Sequence, residues 1–188
     1  MSIFICPGFH LPQMTQYFLQ ELSLSVNSSS KLSVNTRIFP AESYTTLSAI
    51  HILQDLTKTY GQPHQATPLL FIGFSAGVIG ALGAAYGWEL GGGRVKALIA
   101  LDGWGVPLMG NFPIHRLSHD YFTHVTSINI NCQGDSFYAD PGVTHLQMWR
   151  SPSTVKGWAT SDSNPQVRSY LNEAEFILML LKRYQEIE

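Results

Sequence analysis

The chain has 188 residues, of which 45% are hydrophobic and 13% are charged, and its formal net charge at pH 7 is −2. A high apolar content with few charges excludes an intrinsically disordered protein, whose composition has the opposite balance. The lack of a basic run argues against nucleic acid as a partner, and the length indicates one domain, residues 1–188, with a single sizeable core.

Short apolar runs alternate with longer helical patterns along the chain. The runs predict strands at residues 3–6, 34–39, 69–72, 97–101, 125–130 and 146–150. The helical patterns predict helices at about 12–24, 43–60, 76–88 and 165–186. Three strands are almost wholly apolar, as is typical of a parallel sheet covered on both faces. We therefore predict a three-layer α/β domain, with a mostly parallel central sheet of about six strands and helices on both faces.

Residues 103–124 form a long segment rich in Gly, Pro and large apolar side chains. The segment leaves the carboxyl end of a predicted strand, which is the edge where α/β folds bind ligands. We predict that it is a short lid or pocket segment, and that Trp104, Met109 and Phe112 line an apolar substrate pocket. The alternative interpretation is that these side chains only cover the sheet.

Residues 73–77, Gly-Phe-Ser-Ala-Gly, form a G-x-S-x-G pattern between a predicted strand and a predicted helix. A strand that turns at once into a helix forces its serine into a strained backbone, and the small flanking residues avoid clashes. This setting predicts Ser75 as a nucleophile at the carboxyl edge of the sheet.

The chain resembles the α/β-hydrolase superfamily over most of its length, without a separate cap domain. Residues 6–10, Cys-Pro-Gly-Phe-His, stand where the superfamily has its oxyanion loop. The resemblance implies that the N–H groups of Phe9 and Ala76 form the oxyanion hole, and we place His10 in the substrate pocket. Residues 102–108 and 137–141 are also similar to segments of small, uncharacterised cyanobacterial members, which carry no established substrate.

The superfamily order is serine, then an acid, then a histidine. Asp135 is the first candidate for the acid, because it follows the predicted strand 125–130. Asp102, which ends the preceding predicted strand, is the alternative. Both residues also suit ordinary surface turns.

His145 is the first candidate for the base, and His119 is the alternative. If the predicted strand 146–150 is parallel to its neighbours, His145 lies at the far edge from Ser75. If residues 131–144 instead return as a hairpin, the strand is antiparallel and His145 lies beside Asp135. Both directions stay open at this point.

These residues predict a serine hydrolase of the esterase or thioesterase type, which acts on a small, mostly uncharged ester or thioester through an acyl-enzyme at Ser75. A catalytically impaired hydrolase-fold protein that binds a ligand or partner is one alternative, and an acyltransferase is another. No cofactor is expected, and no metal either, because the pair His115 and His119 lacks the glutamate of a zinc protease. The oligomeric state stays open.

The first residues lack the basic and apolar regions of a signal peptide, and no apolar run reaches the ~20 residues of a membrane helix. We therefore expect a cytoplasmic protein without membrane insertion. In the superfamily strand order Cys6 and Cys132 would lie three strands apart, about 14 Å at ~4.8 Å per strand, which is too far for a disulfide.

Overall fold

A computed structural model describes residues 3–25, 36–40, 43–127 and 133–187. The described strands are β1 (Ile3–Cys6), β2 (Thr36–Ile38), β3 (Leu69–Phe74), β4 (Val95–Leu101), β5 (Ile114–Ser118), β6 (Ser136–Ala139), β7 (Lys156–Ser161) and β8 (Asn164–Asn172). The described helices are α1 (Pro12–Ser25), α2 (Ala49–Tyr60), α3 (Gly77–Leu90), α4 (Tyr121–Thr126), α5 (His145–Arg150) and α6 (Glu173–Arg183).

All these strands belong to one sheet in the order β2-β1-β3-β4-β5-β6-β7-β8. The pairs from β2 to β6 are parallel, whereas β7 and β8 are antiparallel to their neighbours. The predicted α/β fold with a mostly parallel sheet is confirmed, but the described sheet has eight strands rather than about six. The prediction did not include β5, β6, β7 or β8, and polar positions in β5 and in the β7–β8 hairpin hide their strand pattern.

Two apolar clusters cover the two faces of the sheet. Ile3 and Ile5 of β1 face a cluster with side chains of α1, α5 and α6. Phe4 and Cys6 face the other cluster, with side chains of α2 and α3. Successive side chains of a strand point to opposite faces, so a strand buried on both sides must be apolar throughout. The apolar runs detected in the sequence have this cause.

Residues 146–150 form most of α5, so the predicted strand there is wrong and neither of its two directions applies. Met148 and Trp149 are buried, and the Trp149 ring stacks on Phe18 of α1 with 3.9 Å between ring centroids. An apolar run of five residues is too short for its period to separate a strand from a helix.

The predicted strand 125–130 is also wrong at its start, because α4 extends to Thr126. Asp120 caps this helix by accepting a hydrogen bond from the Thr123 N–H at 2.6 Å. Residues 128–132 lie outside the described residues, and so does the predicted separation of Cys6 from Cys132. Cys6 is buried as a free thiol.

The predicted helix at 165–186 begins later than expected, since residues up to Asn172 belong to β8. Asn172 and Glu175 then form a capping box that starts α6. Residues 43–47 of the predicted helix at 43–60 form a 3-10 turn, and Ser48 caps α2.

The segment 103–124 is not a uniform lid, because it contains all of β5 and the start of α4. Its loop is limited to residues 103–113. Among the described residues, no helix is long and apolar enough to cross a membrane.

Candidate active site

Ser75 lies in the turn between β3 and α3, with a backbone φ of 54°. This left-handed conformation is unusual for a residue other than glycine and marks local strain. A Cβ atom at Gly77 would lie 2.1 Å from the Cys6 carbonyl oxygen, and one at Gly73 would lie 2.9 Å from Val78 Cα. A side chain at either position would clash with the backbone, so both positions require glycine. This is the steric cause that the G-x-S-x-G pattern predicts.

The loop after β1 lies directly on this turn. A Cβ atom at Gly8 would lie 2.9 Å from Ser75 Cβ. The Thr46 hydroxyl donates a hydrogen bond to the Pro7 carbonyl oxygen and so fastens the loop to the 3-10 turn. The N–H groups of Phe9 and Ala76 have no hydrogen-bond partner among the described residues. Two unpaired donors beside a serine are the arrangement that an oxyanion hole requires.

Asp102 follows β4 and lies at the same edge of the sheet as Ser75. The Ser75 N–H donates to the carbonyl oxygen of Leu101 at 2.9 Å, so the two turns are adjacent. Asp102 also has a positive φ, 53°, and its side chain is 1% exposed. A backbone strained at both neighbouring strand ends is typical of functional sites.

His145 is the first residue of α5, after β6, and its Nδ1 is hydrogen-bonded to Asp102 Oδ2. Its ring stacks on Phe74, the residue before Ser75, with 4.8 Å between ring centroids. An ionised carboxylate only accepts hydrogen bonds, so Nδ1 carries the hydrogen and Nε2 is left with its lone pair. Nε2 makes no hydrogen bond to any described residue and is available as a proton acceptor.

His119, directly after β5, contacts the same carboxylate. Its Nδ1 lies 2.8 Å from both Asp102 oxygens, and its backbone N–H donates to Oδ1 at 3.2 Å. The Nε2 atom of His119 faces α4, where the Thr123 hydroxyl lies at 3.5 Å and Asp120 Oδ2 at 3.5 Å. The two predicted base candidates thus differ, because only His145 leaves Nε2 without a partner.

The structure does not bring Asp135 to this cluster. Asp135 precedes β6 and therefore lies at the opposite edge of the sheet, where Arg183 donates to its carboxylate at 2.6 Å. Burial acts to raise the pKa of Asp135, but hydrogen bonds from Arg183 and from the Asp162 N–H outweigh it and lower the pKa. The sequence predicts Asp135 at the active edge because the polar residues of β5 hide that strand and residues 125–130 are predicted as the strand that precedes Asp135.

His10 lines a cavity of about 260 Å³ together with the uncharged polar residues Thr15 and Gln16. Pro7, Pro12, Ile38 and Phe39 also line this cavity. Burial, followed by the nearby His145, lowers the pKa of His10 to about 4, so its ring is neutral at neutral pH. The cavity beside the oxyanion loop therefore presents a mostly apolar, uncharged wall.

The other predicted pocket residues lie in two different surroundings, Trp104 beside α4 and Met109 with Phe112 beside α3. Trp104 lies two residues after Asp102, is 63% exposed and donates from Nε1 to the Thr126 hydroxyl at 3.2 Å. Phe112 packs on Tyr86, whose hydroxyl donates to the Met109 carbonyl oxygen at 2.5 Å. Tyr86 is nine residues into α3, about 14 Å along the helix from its start beside Ser75. Met109 and Phe112 therefore lie away from the turn at Ser75.

Glu173, the first residue of α6, is a buried acid that the sequence analysis did not detect. It is 0% exposed, and neither carboxyl oxygen has a hydrogen-bond partner among the described residues. Burial, followed by the charge of Asp102, raises the pKa of Glu173 well above its ordinary value. The only signal in the sequence was its place in the first turn of a helix after a strand.

The sequence matches no known family profile and no curated protein. Two solved structures are similar to the whole chain. The thioesterase domain SrfTE, which cyclises the lipopeptide antibiotic surfactin, is 15% identical, with a TM-score of 0.51 over 96% of this chain and 91% of that one. YbtT, a type II thioesterase from the yersiniabactin NRPS/PKS biosynthetic pathway, is 11% identical, with a TM-score of 0.51 over 98% of this chain and 92% of that one.

The chain has an α/β-hydrolase-like fold. At these identities the likeness is one of fold alone. It supports the fold that the superfamily resemblance implies, and it does not extend to the narrower resemblance to small cyanobacterial members. The chemistry of this chain has to be argued from its own residues.

Proposed function

We propose that the protein is a serine hydrolase of the thioesterase or esterase type, which acts through an acyl-enzyme on Ser75. The observation that carries the proposal is the Asp102–His145 pair at the sheet edge where Ser75 occupies its strained turn. A nucleophile, a base with a free nitrogen and an orienting acid are the three groups that acyl transfer needs.

In the proposed acylation step, Ser75 Oγ attacks the carbonyl carbon of the substrate while His145 Nε2 removes its proton. Asp102 holds the Nδ1–H tautomer and stabilises the imidazolium that forms. The tetrahedral oxyanion accepts hydrogen bonds from the N–H groups of Phe9 and Ala76. The C–S or C–O bond then breaks, and the leaving thiol or alcohol takes the proton from His145.

In the proposed deacylation step, a water molecule replaces the leaving group. His145 Nε2 removes a proton from the water as it attacks the acyl carbon, and the same proton then returns to Ser75 Oγ. The products are a carboxylic acid and the free enzyme. The step needs no group beyond those used in acylation.

We assign the acid to Asp102 and the base to His145, rather than to the alternatives Asp135 and His119. Asp135 is neutralised by Arg183 at the opposite edge. His119 has its Nε2 beside Thr123 and Asp120, which directs that nitrogen towards α4. These contacts favour His145 as the proton carrier.

We propose a small, uncharged acyl group as the part of the substrate held next to the oxyanion loop. The wall of the cavity beside His10 consists mostly of Pro, Ile and Phe side chains, with Thr15 and Gln16 as uncharged polar residues, and it has no ionised side chain. The two solved structures with the same fold are thioesterases, which supports a thioester as the substrate bond.

A ligand-binding protein without turnover is the second candidate, and one observation favours it. Among the described residues, Ser75 Oγ makes no hydrogen bond to His145. In structures without substrate, catalytic hydrogen bonds are often long and shorten only in the substrate complex. Turnover separates the two candidates.

The test is hydrolysis of short-chain acyl thioesters and p-nitrophenyl esters by the wild-type protein and by Ser75→Ala. We expect wild-type turnover and a loss of at least ~10³-fold in Ser75→Ala. Ser23→Ala, an exposed position on α1, is the matched control and should keep wild-type rates. Equal rates in wild type and Ser75→Ala would contradict the proposal.

A further inference from the structure

Asp102 is shared by two histidines, although an acyl-transfer triad uses only one. The nitrogen of His119 and the nitrogen of His145 both lie at hydrogen-bond distance from the same carboxylate. In the described part of the chain, the ion-pair partners of Asp102 are these two histidines. The second imidazole is therefore a feature that the proposed hydrolysis does not explain.

We propose that Asp102, His119 and His145 form a binding site for a divalent transition-metal ion, best matched by Zn²⁺, whose occupation stops hydrolysis. One ligand atom from each of the three residues lies within 4.8 Å of the others. Two imidazole nitrogens with one carboxylate oxygen are a common protein ligand set for Zn²⁺, and a fourth position is left for water.

The three ligand atoms lie within 4.8 Å of one another, so their spacing exceeds that around a bound zinc ion by about 1.5 Å at most. Zinc bonds of about 2.0–2.1 Å in a tetrahedral site place the ligand atoms roughly 3.3 Å apart. The side chains of His119 and His145 are 27% and 41% exposed, so both imidazoles have room to make shifts of about an ångström and to admit an ion from solvent. The Asp102 side chain is 1% exposed and supplies a fixed anionic ligand.

Neighbouring groups suit the protonation state that a bound metal requires. A metal on Nδ1 moves the hydrogen of a neutral imidazole to Nε2, and that N–H then needs an acceptor. For His119 these acceptors are in place, since Asp120 Oδ2 and the Thr123 hydroxyl each lie 3.5 Å from Nε2. For His145 no described residue lies at hydrogen-bond distance from Nε2, so that N–H would donate to water, which the 41% exposed side chain admits.

Occupation of the site would remove two groups from the hydrolytic machinery at once. A metal on His145 Nδ1 transfers the hydrogen to Nε2, which then has no lone pair to take the serine proton. The metal also holds the Asp102 oxygen that stabilises the imidazolium. This inhibitory consequence rests on the proposed function, whereas the binding itself does not.

The site could not be found from sequence spacing. Its ligands follow three different strands, β4, β5 and β6, and only the parallel sheet brings these strand ends together. The pair with helical spacing, His115 and His119, is not a site, because His115 is bonded to Tyr184 and to the N–H of Asp135 instead.

The test is direct metal binding to the Ser75→Ala protein, which removes the nucleophile and keeps all three ligands. Co²⁺ should give the intense visible absorption of a tetrahedral site, and titration with Zn²⁺ should displace it at one ion per chain. His119→Asn should weaken the Zn²⁺ affinity by more than ~100-fold, beyond the loss expected for an outer-shell partner. His64→Asn, on an exposed surface away from the site, is the control and should bind as the parent does.

Absence of stoichiometric binding to Ser75→Ala, or the same affinity in His119→Asn, would overturn the metal site. If His119→Asn does not fold, as judged by circular dichroism, Asp102→Asn provides the same comparison. A separate assay of the wild type should show that Zn²⁺ lowers hydrolysis and that a chelator restores it. If the protein binds metal but no preparation hydrolyses the substrates, the proposed function is contradicted and the metal site is not. If Zn²⁺ binds but hydrolysis is unchanged, the inhibitory role is contradicted.

Discussion

Asp102 and Asp135 lie at opposite edges of one sheet, and each has a histidine nearby. The ion-pair partner of Asp135 is an arginine, whereas those of Asp102 are histidines. Asp135 is paired with Arg183, and its N–H donates to Nδ1 of His115 at 2.9 Å. Asp102 has only imidazoles as ion-pair partners within the described residues. A permanent cation neutralises one carboxylate, whereas the other can stabilise a positive charge that appears only during a reaction.

The histidine tautomers at the two edges are also opposite. His115 accepts a hydrogen bond at Nδ1, so its Nε2–H donates to the Tyr184 hydroxyl at 2.8 Å. His145 donates from Nδ1 and keeps the lone pair on Nε2. Burial lowers the pKa of His115 to about 4, which keeps it neutral and fully bonded. The comparison shows that a carboxylate beside a histidine is not by itself a catalytic pair.

The largest expected effect separates the two carboxylates by activity. Asp102→Asn should lower kcat for a short-chain ester by about 10³–10⁴-fold, because the amide no longer fixes the Nδ1–H tautomer. The kcat of Asp135→Asn should stay within a few-fold of the wild-type value. This variant should instead lose about 1–3 kcal/mol of unfolding free energy. Steady-state kinetics and urea unfolding of both variants test this, and a comparable loss of kcat in Asp135→Asn would contradict it.

The second prediction divides the two histidines of Asp102. His145→Ala should lose at least ~10³-fold in kcat, because the proton carrier is removed. His119→Ala should lose about tenfold, since it removes only a hydrogen bond to the acid. Added imidazole should restore part of the activity of His145→Ala and none of that of His119→Ala. Restoration in the opposite pattern would make His119 the base.

The third prediction concerns Glu173, the buried acid close to Asp102. Because its folded-state pKa is raised, the folded protein holds this proton more tightly than the unfolded chain does. Its contribution is therefore fully present below the unfolded pKa of about 4.5 and is lost as the pH rises, by at most ~1.4 kcal/mol per pH unit. Glu173→Gln removes this dependence.

Unfolding free energies of wild type and Glu173→Gln, measured between about pH 5 and about pH 8, should diverge in favour of the variant as the pH rises. Glu89→Gln, which is only partly buried on α3, should follow the wild-type curve. Parallel curves for wild type and Glu173→Gln would show that Glu173 does not hold a proton in the folded state.

The smallest expected effect lies at the Asp135 edge. Arg183→Gln should cost about 1 kcal/mol of unfolding free energy, because the Arg183 side chain is 43% exposed and solvent screens part of the pair. The cost should shrink in acid as Asp135 is protonated below its ordinary pKa of 3.8. Lys182→Gln, an exposed neighbour, is the charge-matched control, and an equal cost in both would contradict the role of the ion pair.

The fold and the strained turn at Ser75 were predictable because their signals are local. The apolar strands and the two glycines around Ser75 have steric causes that act within a few residues. The first candidate for the acid, Asp135, was misplaced, because its position depends on which strand follows β4. The polar residues of β5, Ile-His-Arg-Leu-Ser, hide that strand, and its absence moved Asp135 from one sheet edge to the other.

His145 was predicted as the base, and the structure places it beside Asp102. The element that carries it, however, differs from the predicted one. We expected its position to depend on the direction of a strand at 146–150, whereas α5 occupies those residues and starts at His145 after β6. The Asp102–His119–His145 cluster has no sequence signature, since three strand ends must meet before it exists.

The most direct test of the central claim is labelling with a fluorophosphonate, which reacts only with an activated serine. We expect one adduct per chain, mapped by peptide mass spectrometry to Ser75, absent in Ser75→Ala and formed much more slowly in His145→Ala. No adduct on the wild type at neutral and mildly alkaline pH, or an equal adduct on another serine in Ser75→Ala, would contradict it.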